Sequence, residues 1–243
     1  MLNRAIPSRF VRSQFARRST LRYNNWQESV PNANPRSRLI VQDPDLASKS
    51  NLHCVHFFEP SRFPSVEIAN FLSEGLNQGE SAVLIATLEH ASQIESEIEK
   101  SDLSIQELGG EGLWVVTEVG ELIQALESGM TTEMVVENFI ELVVRPAQGQ
   151  SEKQRVRIYG EFVDGILSQL GNAEMALEVE RYGNELIAEG ATKIYCGYST
   201  NAFPDASFAK PFIKLCRLHN EIHNGLKDRD DWRFQMASKM SAV

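Results

Sequence analysis

Short continuous apolar runs alternate with segments of helical period through most of this chain, and that alternation constrains the fold more than any other feature. The runs fall at His53–Phe58, Ser81–Thr87, Gly112–Thr117, Gln154–Tyr159 and Thr192–Tyr198. They read as continuous apolar stretches, not alternating ones. A strand with one wet face alternates, whereas a strand buried on both faces does not. Between them lie helical candidates at Val66–Gln78, Ala91–Lys100, Thr131–Val144, Asn172–Glu189 and Ser207–His223. Ser65 can cap the first, and Pro64 stops whatever precedes it from continuing. Pro146 is expected to end the third, and Gly190 the fourth. Strands alternating with helices of ten or more residues specify a parallel sheet covered on both sides. The expected fold is α/β: a three-layer sandwich with a mostly parallel central sheet of about five core strands and helices on both faces.

Charge divides the chain. Residues 1–50 carry 9 Lys/Arg against 3 Asp/Glu, and no acid precedes Glu28. This Arg-rich start suits a basic, disordered extension or a wrongly chosen start codon; an organelle transit peptide and a nucleic-acid-binding arm are the other readings. Residues 51–223 form the expected domain, and 224–243 a polar tail or short helix around Trp232. From residue 51 onward acids outnumber bases 30 to 15, a field that does not attract nucleic acid. No apolar run approaches the ~18 residues that span a bilayer. Cys54, Cys196 and Cys216 are scattered, without a CxxC pair, and read as small buried core residues in a reducing cytosol. A cytoplasmic location is the expectation.

Several words of the sequence are distinctive. Phe71–Glu80, followed by Ala82–Glu89, resembles the helix, Gly-Leu-x-x-Gly-Glu turn and glutamate-closed strand of KaiC-type RecA-fold ATPases. His53 through Glu59, Gly75 to Glu80, Tyr159-Gly160-Glu161, Glu180 with Tyr182, Asn184 and Glu185, and Cys196-Gly197-Tyr198 together resemble the MEDS domain, a KaiC-related sensory family. The resemblance covers roughly residues 51–223. It implies a RecA/KaiC-like scaffold and a ligand-sensing role in bacterial or archaeal signalling, with small hydrocarbon derivatives as ligands. It also implies a partner such as a kinase or a transcription regulator. No such output module is visible in the chain, which leaves the output open.

Nucleotide hydrolysis is not expected. A phosphate loop of the G-x-x-x-x-G-K-[ST] type uses glycines to aim N–H groups at phosphates and a lysine to neutralise them. The equivalent stretch, Phe58–Ser65, contains neither glycine nor lysine. Glu59 repels phosphate, Pro60 and Pro64 each lack an N–H, and Arg62 is a single charge. Anion binding at the helix start near Ser65 stays open.

Glu161 follows the fourth strand. It reads either as a carboxylate that holds a metal or touches a ligand at the carboxyl end of the sheet, or as a strand-end acid capping the next helix. His53 and His56 are three apart on a strand, so they point to opposite faces and one ion cannot take both. His53 reaches the ligand crevice or caps an edge. His219 and His223 have the i,i+4 spacing of a helical chelate, but Glu221 lies on the wrong side of a helix for a metalloprotease base and no third ligand is evident. Glu180 and Asn184 share a helix face with Leu177, and Tyr182 and Tyr198 are either walls of the same pocket or core residues. Gly109–Gly112 precedes a strand and so fails as a dinucleotide fingerprint. The expected ligand contacts are His53, Glu59, Arg62, Glu161, Glu180, Asn184 and Tyr198, around a small molecule at the carboxyl ends of the strands. No catalytic residue, metal ligand or cofactor is assigned. Homo-oligomers, a ligand-free interaction module on the same scaffold and a nucleotide-binding regulator with an atypical phosphate site remain as alternatives.

Overall fold

A computed structural model describes residues 52–241, so the readings for residues 1–50 lie outside it. Six strands form one sheet in the order β3-β2-β4-β5-β1-β6, and every pairing is parallel. They are β1 (His53–Phe58), β2 (Ser81–Ala86), β3 (Trp114–Glu118), β4 (Val156–Gly160), β5 (Thr192–Ser199) and β6 (Glu221–Asn224). All residues of β1 and β2 are buried, which is why these strands are apolar without alternation. The edge strands β3 and β6 are largely half-buried or exposed.

Helices cover both faces. Helix α1 (Ser65–Asn77) follows β1, and α2 (Leu88–Glu99) follows β2 after a Thr87 cap whose side chain accepts from the His90 N–H. Their residues Ile68, Leu72, Ile94 and Ile98 share one apolar cluster with Cys54, Leu84, Tyr159 and Tyr195 from the sheet. The neighbouring strand positions point the other way. On that second face, Phe57 and Tyr198 meet the aromatic rings of Phe212 and Phe203. The covering elements there include α8 (Ala173–Ala188) and α9 (Ala209–Cys216), and Gly183 of α8 lies against Ile194.

Three segments depart from the sequence reading. The sheet has six strands where about five were expected, because the expected helix Ser207–His223 stops at Cys216. The chain then runs as β6 beside β1, with Cys54 opposite Glu221 and His56 opposite His223. Pairing with the outer edge of β1 outweighs the helical spacing of this polar stretch. Second, α3 (Ile105–Glu111) and α4 (Val119–Glu127) flank β3, and Gly109 and Gly110 lie inside α3 while Gly112 caps it at φ 77°. Third, Pro146 does not end a helix. Helix α5 (Thr132–Phe139) widens into a π turn at Ile140–Val144 and continues as α6 (Arg145–Gln150). The loosened ladder accommodates a residue that lacks an N–H. A second π turn, Ile166–Leu170, follows the short helix α7 (Phe162–Gly165). The segment read as a polar tail or short helix around Trp232 carries α10 (Trp232–Ser241), whose Trp232 packs edge-on against Phe212 at 5.4 Å.

The Gly75–Glu80 turn has a structural cause. A Cβ on Gly75 would lie 2.6 Å from the Arg157 side chain, so the helix must be bare where Arg157 crosses it. Arg157 is buried, and its Nε meets Glu80 Oε2 at 2.6 Å while Nη1 meets Glu74 Oε2 at 2.7 Å and the Phe71 carbonyl at 2.8 Å. A buried guanidinium is tolerated only with such partners. Gly79, at φ 77°, makes the turn into β2.

Candidate functional site

The seven residues expected around one ligand occupy three places. His53, Glu180, Asn184 and Tyr198 meet on the face covered by α8. Glu161 sits at the carboxyl end of the sheet on the α1–α2 side. Glu59 and Arg62 pair with each other at 3.7 Å on the turn after β1, where half of the Arg62 side chain is exposed and Glu59 also accepts from the Lys227 N–H at 3.2 Å. A pocket shared by Glu161 and Tyr198 therefore does not form: Tyr159, which carries Glu161's hydrogen bond, and Tyr198 emerge on opposite faces of the sheet. Tyr182 is half-buried, feels the charges of Glu133 and Glu137, and does not join Tyr198. A surface cleft of about 470 Å³ lined by Thr132, Asn172, Arg181 and Lys214 holds none of the seven.

At the carboxyl end, β4 finishes beside β2, and the chain leaves these neighbours toward opposite faces. Such switch points open a crevice in parallel sheets. Glu161 stands there, 4% exposed, its own N–H donating to the Ile85 carbonyl at 2.9 Å. Its Oε2 accepts from the Thr87 N–H at 3.3 Å, and its Oε1 accepts from the Tyr159 hydroxyl at 3.0 Å. Oε1 also lies 2.7 Å from His90 Nδ1. The His90 ring stacks on Phe63 with centroids 3.7 Å apart and planes 3° from parallel. About a fifth of the His90 side chain reaches solvent. Burial pulls the His90 pKa down, but the hydrogen bond and charge of Glu161 outweigh it and leave the imidazole above its ordinary value. Burial pushes Asp164, whose Oδ1 accepts from the Ser199 N–H at 2.6 Å, up to about 6. The arrangement brings a carboxylate, an imidazole and a stacked phenyl ring together at the end of the sheet. Thr87, Phe63 and His90 were not among the expected residues; the one signal was a histidine three places after the Thr87 cap.

The second cluster is fully buried. His53 Nε2 lies 3.0 Å from Glu180 Oε2, and His219 Nε2 lies 3.3 Å from the same oxygen. Cys196 Sγ is 3.5 Å from His53 Nε2, and the Tyr198 hydroxyl donates to Glu180 Oε1. Asn184 Oδ1 meets His53 Nδ1 at 3.1 Å, and its amide donates to the Leu218 carbonyl at 3.0 Å. Burial works against the Glu180 charge, yet the two histidines hold its carboxyl well below the usual range. Burial lowers the His53 pKa and Glu180 raises it by more, so the net shift is upward. The Cys196 thiol is pushed far up, by burial first and by Glu180 second. His53, Glu180, Cys196 and His219 offer donor atoms within 4.8 Å of one another, a set competent to bind a metal. Sequence spacing did not reveal it. Cys196 read as core, and His219 was paired with His223, which instead stacks on His56 with centroids 6.0 Å apart. As the strand argument required, His53 and His56 face opposite ways.

Residues 53–220 match the family model of the MEthanogen/methylotroph, DcmR Sensory domain. The chain belongs to the MEDS family. The match begins and ends on two residues that clamp each other. The His53 N–H donates to Asn220 Oδ1, and the Asn220 N–H donates to the His53 carbonyl, both at 2.9 Å. Both clusters lie within the MEDS stretch. MEDS is a sensory family, consistent with a role in signalling. No curated protein matches the chain. Among the described residues, no helix is long and apolar enough to cross a membrane.

Proposed function

We propose that this MEDS domain is a sensor that holds a small polar organic molecule in the crevice around Glu161 and reports its presence to a partner protein, without hydrolysing ATP. One observation carries the reading: a buried carboxylate at the ends of β2 and β4, partnered by a histidine that still reaches solvent. The Glu161–His90 pair suits a hydroxyl, carbonyl or amine, and the Phe63 ring suits a short apolar chain beside it. That chemistry agrees with small hydrocarbon derivatives as the ligand class.

The scaffold is read as RecA/KaiC-like with a lost phosphate loop. In support, the turn between β1 and α1 is a 3-10 turn, Pro60–Arg62, that carries acidic Glu59 in place of a glycine-and-lysine cradle. A ligand competing for Glu161 weakens its hold on Thr87 at the start of α2 and on Tyr159 in β4. It shifts the balance of two packings only by as much as it prefers one of them. The reader of that shift is proposed to be a cytoplasmic kinase or transcription regulator, or a second copy of the chain. A ligand-free interaction module is the second reading. Val66 and Leu88, 51% and 68% exposed on the first turns of α1 and α2, favour it.

A thermal-shift panel of short alcohols, ketones, amines and carboxylic acids, with ATP and Mg²⁺ as a further arm, tests the proposal. A compound at 100 times its Kd should stabilise the wild type by about 2.7 kcal/mol and Glu161→Gln far less. A shift only with ATP and Mg²⁺ would replace this reading with nucleotide sensing. Shifts with nothing in the panel would favour the interaction module.

A further inference from the structure

We propose that His53, Glu180, Cys196 and His219 form a closed zinc site in the core of the domain, separate from the crevice around Glu161. The four donors come from four places in the fold: the start of β1, the middle of α8, the middle of β5 and the loop between α9 and β6. All four residues are buried.

Spacing is the first argument. An ion about 2.0–2.2 Å from nitrogen and oxygen and about 2.3 Å from sulfur sets tetrahedral edges of about 3.3 Å between light donors and about 3.6 Å to the sulfur. The separations of His53 Nε2 and His219 Nε2 from Glu180 Oε2 are 3.0 and 3.3 Å. Cys196 Sγ lies 3.5 Å from His53 Nε2 and 3.9 Å from Glu180 Oε2. Four of the six separations thus stand near the edges of one tetrahedron, and all six fall within 4.8 Å.

Orientation is the second argument. His219 Nδ1 meets the Leu215 carbonyl at 2.8 Å, so this nitrogen carries the proton and donates. His219 Nε2 is thereby turned toward the cluster, 3.3 Å from Glu180 Oε2. It is buried, and despite its approach to Glu180 it makes no hydrogen bond. A buried polar atom in that state calls for an explanation, and a metal supplies one. His53 is turned the same way, with Nδ1 on Asn184 Oδ1 at 3.1 Å and Nε2 inward. Asn184 is itself aimed by its amide bond to the Leu218 carbonyl. Glu180 presents Oε2 to the cluster while Oε1 accepts from Tyr198. Three of the four donors thus have the outer partners that orient metal ligands.

Charge is the third argument. A divalent ion with one carboxylate, one thiolate and two neutral imidazoles is neutral as a unit, which suits a site without water. On binding, the Cys196 thiol proton and any proton shared between imidazole and Glu180 leave to solvent. Two nitrogens, a sulfur and one oxygen exclude magnesium and calcium, which take oxygen ligands, and a closed tetrahedral set is the habit of structural zinc. The bound ion would join the loop after α9 to the sheet and so fix the start of β6.

The test uses the full chain, unfolded in denaturant with a chelator under reducing conditions and refolded with Zn²⁺ or Co²⁺ alone. The expected result is one zinc per chain by elemental analysis. Cobalt should give a thiolate charge-transfer band and the intense visible bands of a tetrahedral ion. The double variant Cys54→Ser/Cys216→Ser retains only Cys196 and should keep the band; Cys196→Ser should lose it. His219→Gln should weaken zinc binding by more than about 100-fold, and Asn184→Ala, an outer partner, by about 10–100-fold. His223→Gln and Glu161→Gln should bind zinc as the wild type does, so the zinc site and the crevice stand or fall separately. A refolded wild-type chain without metal would overturn the proposal. So would the absence of a thiolate band in the Cys54→Ser/Cys216→Ser chain, or undiminished binding by folded His219→Gln.

Discussion

Replacing Gly197 by alanine tests how tightly the sheet is fitted around Glu161. Gly197 lies in β5 directly under the Tyr159 ring. A Cβ there would stand 2.9 Å from Tyr159 Cζ, with the hydroxyl oxygen closer still. The ring has nowhere to retreat. It is fully buried, it meets Phe63 and Tyr195 edge-on, and its hydroxyl donates to Glu161 at 3.0 Å. Overpacking of this kind costs about 1–3 kcal/mol. Displacing the hydroxyl from a buried carboxylate adds about 1.5–3 kcal/mol. Gly197→Ala should therefore lose about 3–5 kcal/mol, a large share of the roughly 5–15 kcal/mol that holds a domain together. Tyr159→Phe alone should lose about 1.5–3 kcal/mol, since Glu161 keeps Thr87 and His90. The double variant removes the closest clash and cannot lose the same hydrogen bond twice. It should be more stable than the sum of the two losses implies, by at least about 1.5 kcal/mol. Urea unfolding followed by far-UV circular dichroism gives all three values. Additivity within about 0.5 kcal/mol, or a Gly197→Ala chain as stable as wild type, would refute the reasoning.

Three further outcomes are expected. Gly75→Ala places a methyl 2.6 Å from the Arg157 side chain and pushes it off Glu80, so urea unfolding should show a loss of about 3–5 kcal/mol, as for a broken buried ion pair. His56 is held down to about 4, by burial first and by neighbouring His223 second. Its folded value lies below the unfolded one of about 6.5, so its contribution is complete above pH 6.5 and is lost as pH falls toward 4. That is about 2 kcal/mol between pH 7 and pH 5, and His56→Asn should lack it when unfolding is compared at the two pH values. Phe63→Ala removes the ring stacked on His90 and should weaken binding of any crevice ligand by about 10-fold or more, read by calorimetric titration.

Five strands were legible in the sequence because each is an apolar-rich run, four of them buried almost throughout and the edge strand β3 half-buried. The sixth was not. Asn220–Asn224 contains one apolar residue, and only the free edge of β1 makes it a strand. The same misreading hid the buried cluster. With 207–223 taken as a helix, His219 pointed to His223, whereas the loop before β6 brings His219 to His53 and the strand sets His223 beside His56 on the other face. His53, Glu180, Cys196 and His219 are too far apart in sequence for any spacing rule to join them. Glu161 was legible as a strand-end acid, but its partner His90 depends on how α2 leaves β2, which is a property of the sheet order. The Gly75–Glu80 and Cys196-Gly197-Tyr198 words were recognised for their family resemblance. Each glycine proves to be cleared for a large side chain crossing it, Arg157 in one case and Tyr159 in the other.

The most direct test of the central claim, that Glu161 marks the ligand site, is a nuclear magnetic resonance titration of the chain with the small molecule that most stabilises it. The account predicts that the Thr87 amide and the His90 ring resonances shift first and together, because both groups sit on the Glu161 carboxylate. Shifts that leave Thr87 and His90 unmoved while other parts of the domain respond would contradict it.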